Sequence, residues 1–142
     1  MNRVWHMFVM SVTLLLVGMV GGCAKNPEPV LRERAQAFTQ LLTADRFEEA
    51  VEYFDPDVVA RSGRVALTEA FKSIMNAGKR VNEATGRQAA GFEIRTINFY
   101  ADKTQASVHL VFFTTDANGT DRREFPTEQK WVLKKAIWYA TQ

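Results

Sequence analysis

The chain has little cysteine, little histidine and little excess charge. One cysteine among 142 residues cannot form an intrachain disulfide, and one thiol with two histidines offers no cluster of soft ligands. This excludes zinc and iron–sulfur sites. The 18 Lys and Arg residues against 16 Asp and Glu residues leave a net charge of only +2. Proteins that bind a phosphate backbone carry a larger positive excess, so nucleic acid is not expected as a partner.

Other motifs of chemistry are also missing from the sequence. It has no glycine-rich phosphate-binding loop and no G-x-S-x-G nucleophile elbow, and we expect no cofactor and no metal. What the chain does contain is 46% apolar and 11% aromatic residues, which is enough for one compact hydrophobic core.

The N-terminus has the layout of a secretory signal. Met1 to Arg3 is a short positive start, and Val4 to Val20 is an almost uninterrupted apolar run that leads into Gly21, Gly22 and Cys23. The run is close to the minimum length for a bilayer span, roughly 17–20 residues, so an uncleaved transmembrane helix is the competing interpretation. The small residues before the cysteine favour a cleaved signal.

The tetrapeptide Val20-Gly21-Gly22-Cys23 resembles the lipobox of bacterial lipoproteins. In that family the cysteine sulfur receives a diacylglycerol, the signal is cut before the cysteine, and the new amino group is acylated, commonly with palmitate. The resemblance implies a signal peptide over residues 1–22, lipidation of Cys23 and a lipidated, extended tether over residues 23–29. Two or three acyl chains hold a protein on a membrane without a transmembrane helix. The alternative is an incidental cysteine at the end of a signal or anchor helix.

Ala24 refines the location that this resemblance implies. In lipoproteins of bacteria with two membranes, an aspartate after the lipidated cysteine signals retention in the inner membrane. Alanine at this position therefore implies the outer membrane, with the domain facing the periplasm of the cell envelope.

Three stretches after the tether have the apolar spacing of amphipathic helices. The first covers residues 30–43, the second residues 45–54 with Asp45 as its N-cap, and the third runs from residue 67 to Gly78 as its C-cap. The segments after the second and third helices, residues 57–63 and 79–91, are predicted as a link and as a mobile polar connector.

The second half of the chain alternates with the period of strands. Strands are predicted over residues 92–100, 105–115, 123–135 and 136–141. The apolar phase of the first strand shifts, which indicates a bulge near Thr96. Asn118-Gly119 and the segment near Lys135 are predicted turns, and Pro126 is expected at a sheet edge or a bulge.

Helices followed by an antiparallel meander predict an α+β domain over residues 30–142, with three helices packed on a curved antiparallel sheet of about four strands. The stretches "FEEAVEYFDPDV", "INFYADKTQASVHLVF" and "KWVLKKAIWYA" resemble the nuclear transport factor two-like superfamily, a cone of helices on a curved sheet. That superfamily contains steroid isomerases and small dehydratases as well as binding modules, so the resemblance does not decide the function.

Three side chains are candidate pocket residues in such a cone: Tyr53, Tyr100 and His109. An imidazole acts as a general base only beside a partner that tunes its basicity, and a phenol can donate to a developing oxyanion. The alternatives are a partly buried histidine satisfied by a neighbour and aromatic residues that cap the core. Asp55 and Asp57 flank a proline and are interpreted as turn and cap residues. No catalytic residue is predicted.

The stretch "SVHLVFF" is apolar on both faces of the predicted sheet, with Val108, Leu110 and Phe112 on one face and Val111 and Phe113 on the other. Helices cover only one face. The other face is predicted either to pack on a second copy or another envelope protein, or to be buried by the curvature of the sheet or by the C-terminal strand.

Two functions follow from the sequence. The preferred one is a lipid-anchored, non-catalytic envelope module that binds a small apolar ligand or a partner protein through its cone or its sheet face. The alternative is an isomerase- or dehydratase-like enzyme that uses His109 with a tyrosine.

Overall fold

A computed structural model describes residues 26–141, so the predicted signal peptide and Cys23 lie outside the described residues. Within this range the chain forms four α-helices, one 3-10 turn and four β-strands. The helices are α1 (Glu28–Thr43), α2 (Phe47–Ala50), α3 (Pro56–Ser62) and α4 (Arg64–Ala84), and the 3-10 turn is Val51–Tyr53. The strands are β1 (Arg87–Tyr100), β2 (Gln105–Asp116), β3 (Arg123–Lys134) and β4 (Ile137–Ala140). None of the helices within residues 26–141 is long and apolar enough to cross a bilayer.

The four strands form one antiparallel sheet in the order β1-β2-β3-β4. The register between β1 and β2 shifts twice, at Ala89/Gly91 and at Ile94/Thr96, so the predicted bulge near Thr96 is confirmed. Each bulge adds local twist to its strand. The sheet curls into a half-barrel, and the helices pack on one of its faces.

The turn and edge signals of β3 and β4 are confirmed as well. Lys135 and Ala136 have φ values of 48° and 64°, the left-handed pair that a tight two-residue hairpin turn requires. β4 pairs with only the last four residues of β3, from Trp131 to Lys134. At Pro126, β3 is therefore an edge strand, with β2 on one side and no strand of the described residues on the other. A proline is tolerated at such an edge, because no neighbouring strand on the open side needs its amide hydrogen.

The helices number four within the described residues, against three in the prediction, and the segment expected to be a link is α3. Pro56 occupies the first turn of α3, where its fixed φ suits a helix, and the Asp55 carboxylate accepts a hydrogen bond from the Asp57 amide at 3.0 Å. The Asp-Pro pair that ends the preceding turn thus also starts the next helix.

The predicted end of the third helix at Gly78 was wrong, and so was the mobile connector. α4 continues through Gly78 to Ala84, because one interior glycine costs only about 1 kcal/mol relative to alanine and the residues on either side favour helix. Thr85 is the C-cap, and Gly86 after it has a φ of 65°, the left-handed conformation typical of a residue that follows a C-cap. Strand β1 begins directly afterwards at Arg87.

Asp45, predicted as an N-cap, does not cap α2. Its φ of 61° places it in a left-handed turn, and its carboxylate instead accepts a hydrogen bond from Lys79 of α4 at 2.5 Å. A contact between distant segments has replaced the local capping interaction.

The centre of the domain is a cluster of aromatic rings around Phe38 of α1. The Phe38 ring lies 5.8–6.1 Å from the rings of Tyr53, Phe54, Phe71 and Trp131, and edge-on to Trp131. Edge-to-face pairs at this separation add to the stabilisation from burial alone. These rings fill the space between the helices and the sheet.

A chain of buried hydrogen bonds runs through this aromatic core. The indole of Trp131 donates to the Gln129 side-chain oxygen at 3.3 Å, and the Gln129 amide donates to the Thr39 hydroxyl at 2.9 Å. The Thr39 hydroxyl donates in turn to the Ala35 carbonyl at 2.8 Å. All three side chains are almost fully buried, so each polar group depends on its neighbour in the chain for a partner.

The N-cap of α3 is tied to the end of β3 by one lysine. Lys134 donates to the Asp55 carboxylate at 2.7 Å and to the Asp57 carboxylate at 2.5 Å. The hydrogen bond and the positive charge of Lys134 lower the pKa of Asp57, and the hydrogen bonds from both carboxylates raise the pKa of Lys134. Asp55 and Asp57 are therefore structural residues, as the sequence interpretation held.

We expect Thr39→Val to lower the free energy of unfolding by about 1–3 kcal/mol, because it leaves the buried Gln129 amide without its acceptor while preserving the shape of the side chain. Thr43→Val is the matched control on the same helix, since Thr43 is exposed and bonds only locally to the Gln40 carbonyl. Urea unfolding of both variants checks this, and equal losses would contradict it.

We expect Asp55→Ala to cost about 1–2 kcal/mol, because it removes both the cap of α3 and a half-buried ion pair. Asp57→Ala removes an ion pair whose carboxylate is 71% exposed, so we expect a loss of less than about 1 kcal/mol. Chemical denaturation at neutral pH compares the two variants, and a larger effect at Asp57 would refute the assignment.

The Lys134 contacts also predict a pH dependence. The lowered pKa of Asp57 stabilises the fold above the ordinary aspartate pKa, and this contribution is lost as the pH falls through the lowered value. The raised pKa of Lys134 stabilises the fold below the ordinary lysine pKa, and this contribution is lost as the pH rises through the raised value. Lys134→Met should flatten both limbs of a plot of unfolding free energy against pH, and parallel curves for variant and parent would contradict the assignment.

Candidate binding site

The residues predicted to line a pocket lie on different sides of the sheet. Tyr53 belongs to the 3-10 turn on the helix-covered face, where its ring packs on Phe38 and lies under the Arg34 guanidinium at 4.7 Å. His109 lies in the middle of β2, between Val108 and Leu110, which are buried in the core. Because side chains alternate along a strand, His109 is on the opposite face.

Tyr100 shares this outer face with His109 but is far from it along the strands. Tyr100 pairs with Gln105 and is 52% exposed, whereas His109 pairs with Thr96 of β1 and Glu128 of β3. Four residues of strand, about 13 Å, separate the two positions. The structure therefore brings no two of the three predicted pocket residues into one site.

The apolar residues of the outer face are covered within the chain. Val111 and Phe113 are 8% and 6% exposed. The Arg122 guanidinium lies 3.6 Å from the centre of the Phe113 ring, and Arg95 lies at 6.0 Å from it. Cations over an aromatic face stabilise such an arrangement. Pairing of two copies through the sheet face stays a prediction.

The interior of the cone is occupied by its own side chains. Phe38, Phe54, Phe71 and Trp131 fill the space that holds a ligand in an open cone. Four pockets on the surface of the described residues are open grooves, and the two between α2 and α4 are lined mainly by charged and polar side chains.

An aromatic row crosses the far end of the helix-covered face. Phe92 of β1 pairs with Phe112 of β2, which pairs with Phe125 of β3. Phe112 has the same strand parity as Ala106, Val108 and Leu110, so the row lies on the face that the helices cover. The Phe92 and Phe112 rings are 6.1 Å apart. We refer to Phe92, Phe112 and Phe125 as the aromatic row.

The helices leave this row partly open to solvent. Phe92 and Phe112 are half-buried, and Phe125 is 47% exposed, although Ala106, Val108 and Leu110 of β2 on the same face are at most 3% exposed. Phe92 borders an open groove between α1 and β1, with Gln36 and Gln40 on the opposite wall. Three phenyl rings beside a polar-walled groove can accept an apolar group that has a polar end.

A buried arginine fixes the end of the sheet next to the aromatic row. Arg87, with a side chain that is 6% exposed, donates to the hydroxyl and carbonyl of Thr114 at 2.8 and 3.0 Å. It also donates to the Asp121 carboxylate and to the Asp121 carbonyl at 2.7 Å each. The hydrogen bond to the carboxylate lowers the pKa of Asp121. The β2–β3 loop is thereby held against β1.

The same loop is braced internally by Asp116. Its carboxylate accepts hydrogen bonds from the Asp121 and Thr120 amides and from the Thr120 hydroxyl, and these bonds lower the pKa of Asp116. The aromatic row therefore lies on strands whose ends are already fixed. Such strands have little conformational entropy left to lose if a molecule covers the row. Among the described residues, no group of three acidic, histidine or cysteine side chains has the arrangement of a metal site.

Comparison with known proteins gives information about the fold alone. No protein-family model matches the chain, and no curated protein matches its sequence. The structure is similar to that of a candidate NTF2-like transpeptidase from Campylobacter jejuni, with a TM-score of 0.56 and 14% sequence identity over 82% of this chain and 98% of that chain. It is also similar to the intermembrane space region of the chloroplast protein ARC6, with a TM-score of 0.43 and 15% identity over 80% of this chain and 92% of that chain.

The similarity to the Campylobacter protein confirms the architecture predicted from the sequence. Nearly the whole of that chain is matched by helices and strands in the same arrangement. The described residues thus form an NTF2-like α+β cone, with helices packed on a curved antiparallel sheet.

Proposed function

We propose that the protein is a lipid-anchored component of the bacterial cell envelope, held on the outer membrane and facing the periplasm, whose domain binds an apolar ligand without catalysing a reaction. The observation that carries the binding function is the aromatic row, which is the part of the helix-covered face left open by the helices.

The anchor is supported by the lipobox and by the short distance between Cys23 and the folded domain. α1 begins at Glu28, which is 28 − 23 = 5 residues after the cysteine. Even a fully extended tether of this length spans only about 17 Å. A lipid on Cys23 would therefore keep the domain against the membrane surface, where apolar molecules are concentrated.

The aromatic row supports binding of a ligand with an apolar body. Burying a phenylalanine side chain that is otherwise in water contributes about 1.5–3 kcal/mol, so covering three partly exposed rings gives useful affinity for a small ligand. Gln36 and Gln40 on the facing wall can satisfy one polar end of such a ligand. An acyl chain or a comparable amphiphile has this chemistry.

The arrangement of the titratable residues favours binding over catalysis. General acid–base catalysis needs its groups within hydrogen-bond reach of one reacting centre. His109 is separated from Tyr53 by the sheet and from Tyr100 by about 13 Å along the strands. The transpeptidase name belongs to the Campylobacter protein, and 14% identity supports transfer of the fold but not of that activity.

Intact mass of the membrane-extracted protein tests the anchor. We expect a mature chain of 142 − 22 = 120 residues that carries acyl chains, and we expect Cys23→Ser to abolish both the lipid and the cleavage at this site. A full-length mass without lipid in the parent protein would instead establish an uncleaved N-terminal anchor.

Fluorescence of N-phenyl-1-naphthylamine, an apolar probe, tests the aromatic row in residues 26–142 produced without the lipobox. We expect Phe125→Ser to weaken probe binding about five-fold, which corresponds to about 1 kcal/mol of lost apolar contact. Ile137→Ser is the matched control, because Ile137 is 42% exposed but belongs to β4 and lies outside the row.

Both variants must keep the parent's unfolding midpoint for the comparison to be valid. Equal probe binding by the parent, Phe125→Ser and Ile137→Ser would refute the row as a binding site.

A further inference from the structure

Helix α4 presents an exposed apolar face that the proposed ligand site does not use. None of its 21 residues is buried, and Ile74 and Val81 are 67% and 60% exposed. Leu67 and Phe71, near the start of the helix, pack on the core. Leu67 lies seven residues before Ile74 and so on the same side of the helix, which means that this apolar side is covered at its start and exposed at Ile74 and Val81. An exposed pair of large aliphatic residues on one helix indicates a surface for a partner.

The spacing along this face is that of a helix that packs on another helix. Ala70, Ile74, Ala77, Val81 and Ala84 follow one another at intervals of four, three, four and three residues. This is the repeat of the apolar seam in a pair of packed helices. Alanines between the aliphatic residues let two backbones approach to about 8 Å. We refer to these five residues as the α4 seam.

The composition of the α4 seam argues against a membrane surface as its occupant. Helices that lie in a membrane interface carry bulky apolar residues such as Trp, Phe and Leu on the buried face. Alanine forms three of the five positions here, and it contributes little free energy of insertion. The seam suits the close contact of a second helix.

We propose that the occupant is a second copy of this chain, docked antiparallel through its own α4 seam. With the two-fold axis between Met75 and Asn76, Ile74 lies opposite the second copy's Ala77, and Ala70 lies opposite the second copy's Val81. Each large side chain then meets a small one, which is the complementarity that a self-pairing surface needs.

The charges beside the seam select the antiparallel orientation. Glu69 and Arg80 are 11 residues apart, about three helical turns, and so share one flank of the helix. Antiparallel docking brings Glu69 beside the second copy's Arg80 twice, whereas parallel docking places these flanks of the two helices on opposite sides of the contact, so that neither ion pair forms. Arg80 has no ion pair within the described residues, and Glu69 has only a long contact of 3.9 Å with Lys72.

The size of the seam sets the strength of the contact. From Ala70 to Ala84 the helix axis extends about 22 Å, so two helices alone bury less than the 1,200 Å² or so of a standard stable interface. We therefore expect the dimer to be weak in solution. On a membrane, the proposed lipid anchor confines the copies, and the higher effective concentration raises the fraction of chains that are paired.

Cysteine cross-linking in the full-length chain, in membranes, tests this docking. Two differently tagged chains are co-expressed, one with Ala70→Cys and the other with Val81→Cys, and treated with a short bismaleimide. We expect the mixed dimer to be the main product. Lys72→Cys, at the same level of the helix but turned away from the seam, is the control and should give no more product than the parent chain.

A charge exchange separates docking from chance collision. Glu69→Arg or Arg80→Glu alone should reduce the yield of the mixed dimer at least three-fold, and the two together should restore it. Dimers of identical tags would establish parallel docking and overturn the proposal. Yields equal to the Lys72→Cys control would also overturn it.

The outcome for the anchor is read independently, from intact mass in the same membranes. A lipidated chain without the mixed dimer refutes the docking and keeps the proposed function. A mixed dimer from a chain without lipid keeps the docking and refutes the anchor.

Discussion

The hydrogen bond between Gln129 and Thr39 is the constraint on which the arrangement of helix and sheet depends. It joins the C-terminal half of α1 to β3 in the interior of an otherwise aromatic core, where no water is available as a substitute partner. Apolar rings alone allow a helix to slide or rotate on a sheet at small cost. A single buried amide with one acceptor allows only one position, and the rings around Phe38 pack in that position.

Fixing α1 in this way divides the helix-covered face into two regions. At one end, Trp131 and the rings around it are sealed and contribute stability. At the other end the aromatic row keeps part of its surface in water, and this exposed apolar surface is the one that the proposed function assigns to a ligand. The buried Arg87 lies beside the second region and holds the ends of the strands that carry the row.

The last three strands could be predicted closely from the sequence, because alternation and turn residues act over a few residues, whereas β1 begins five residues before its predicted start. The helix ends were harder, since Asp55-Pro56 fits both the end of one helix and the start of another, and Gly78 fits both a C-cap and a helix interior. Asp45 shows the same difficulty, because its partner Lys79 is distant in the sequence.

The aromatic row could not be found from the sequence for a more specific reason. Phe92 reaches its place opposite Phe112 only after the register shift at Ile94/Thr96, and the exact position of that shift decides which residues are paired. The predicted pocket residues failed to converge for a related reason. Tyr53, Tyr100 and His109 were chosen by residue type, and the face on which each one lies depends on strand parity and on the position of the helices.

Pro126 has a consequence for the crowding that the proposed lipid anchor implies. The part of β3 that β4 does not cover is an open strand edge, which in an ordinary sequence would invite the sheet of a neighbouring molecule to continue it. A proline in this stretch removes one of the amide hydrogens that such a continuation would use. Molecules gathered at high density can then associate through side chains without fusing their sheets into an irreversible aggregate.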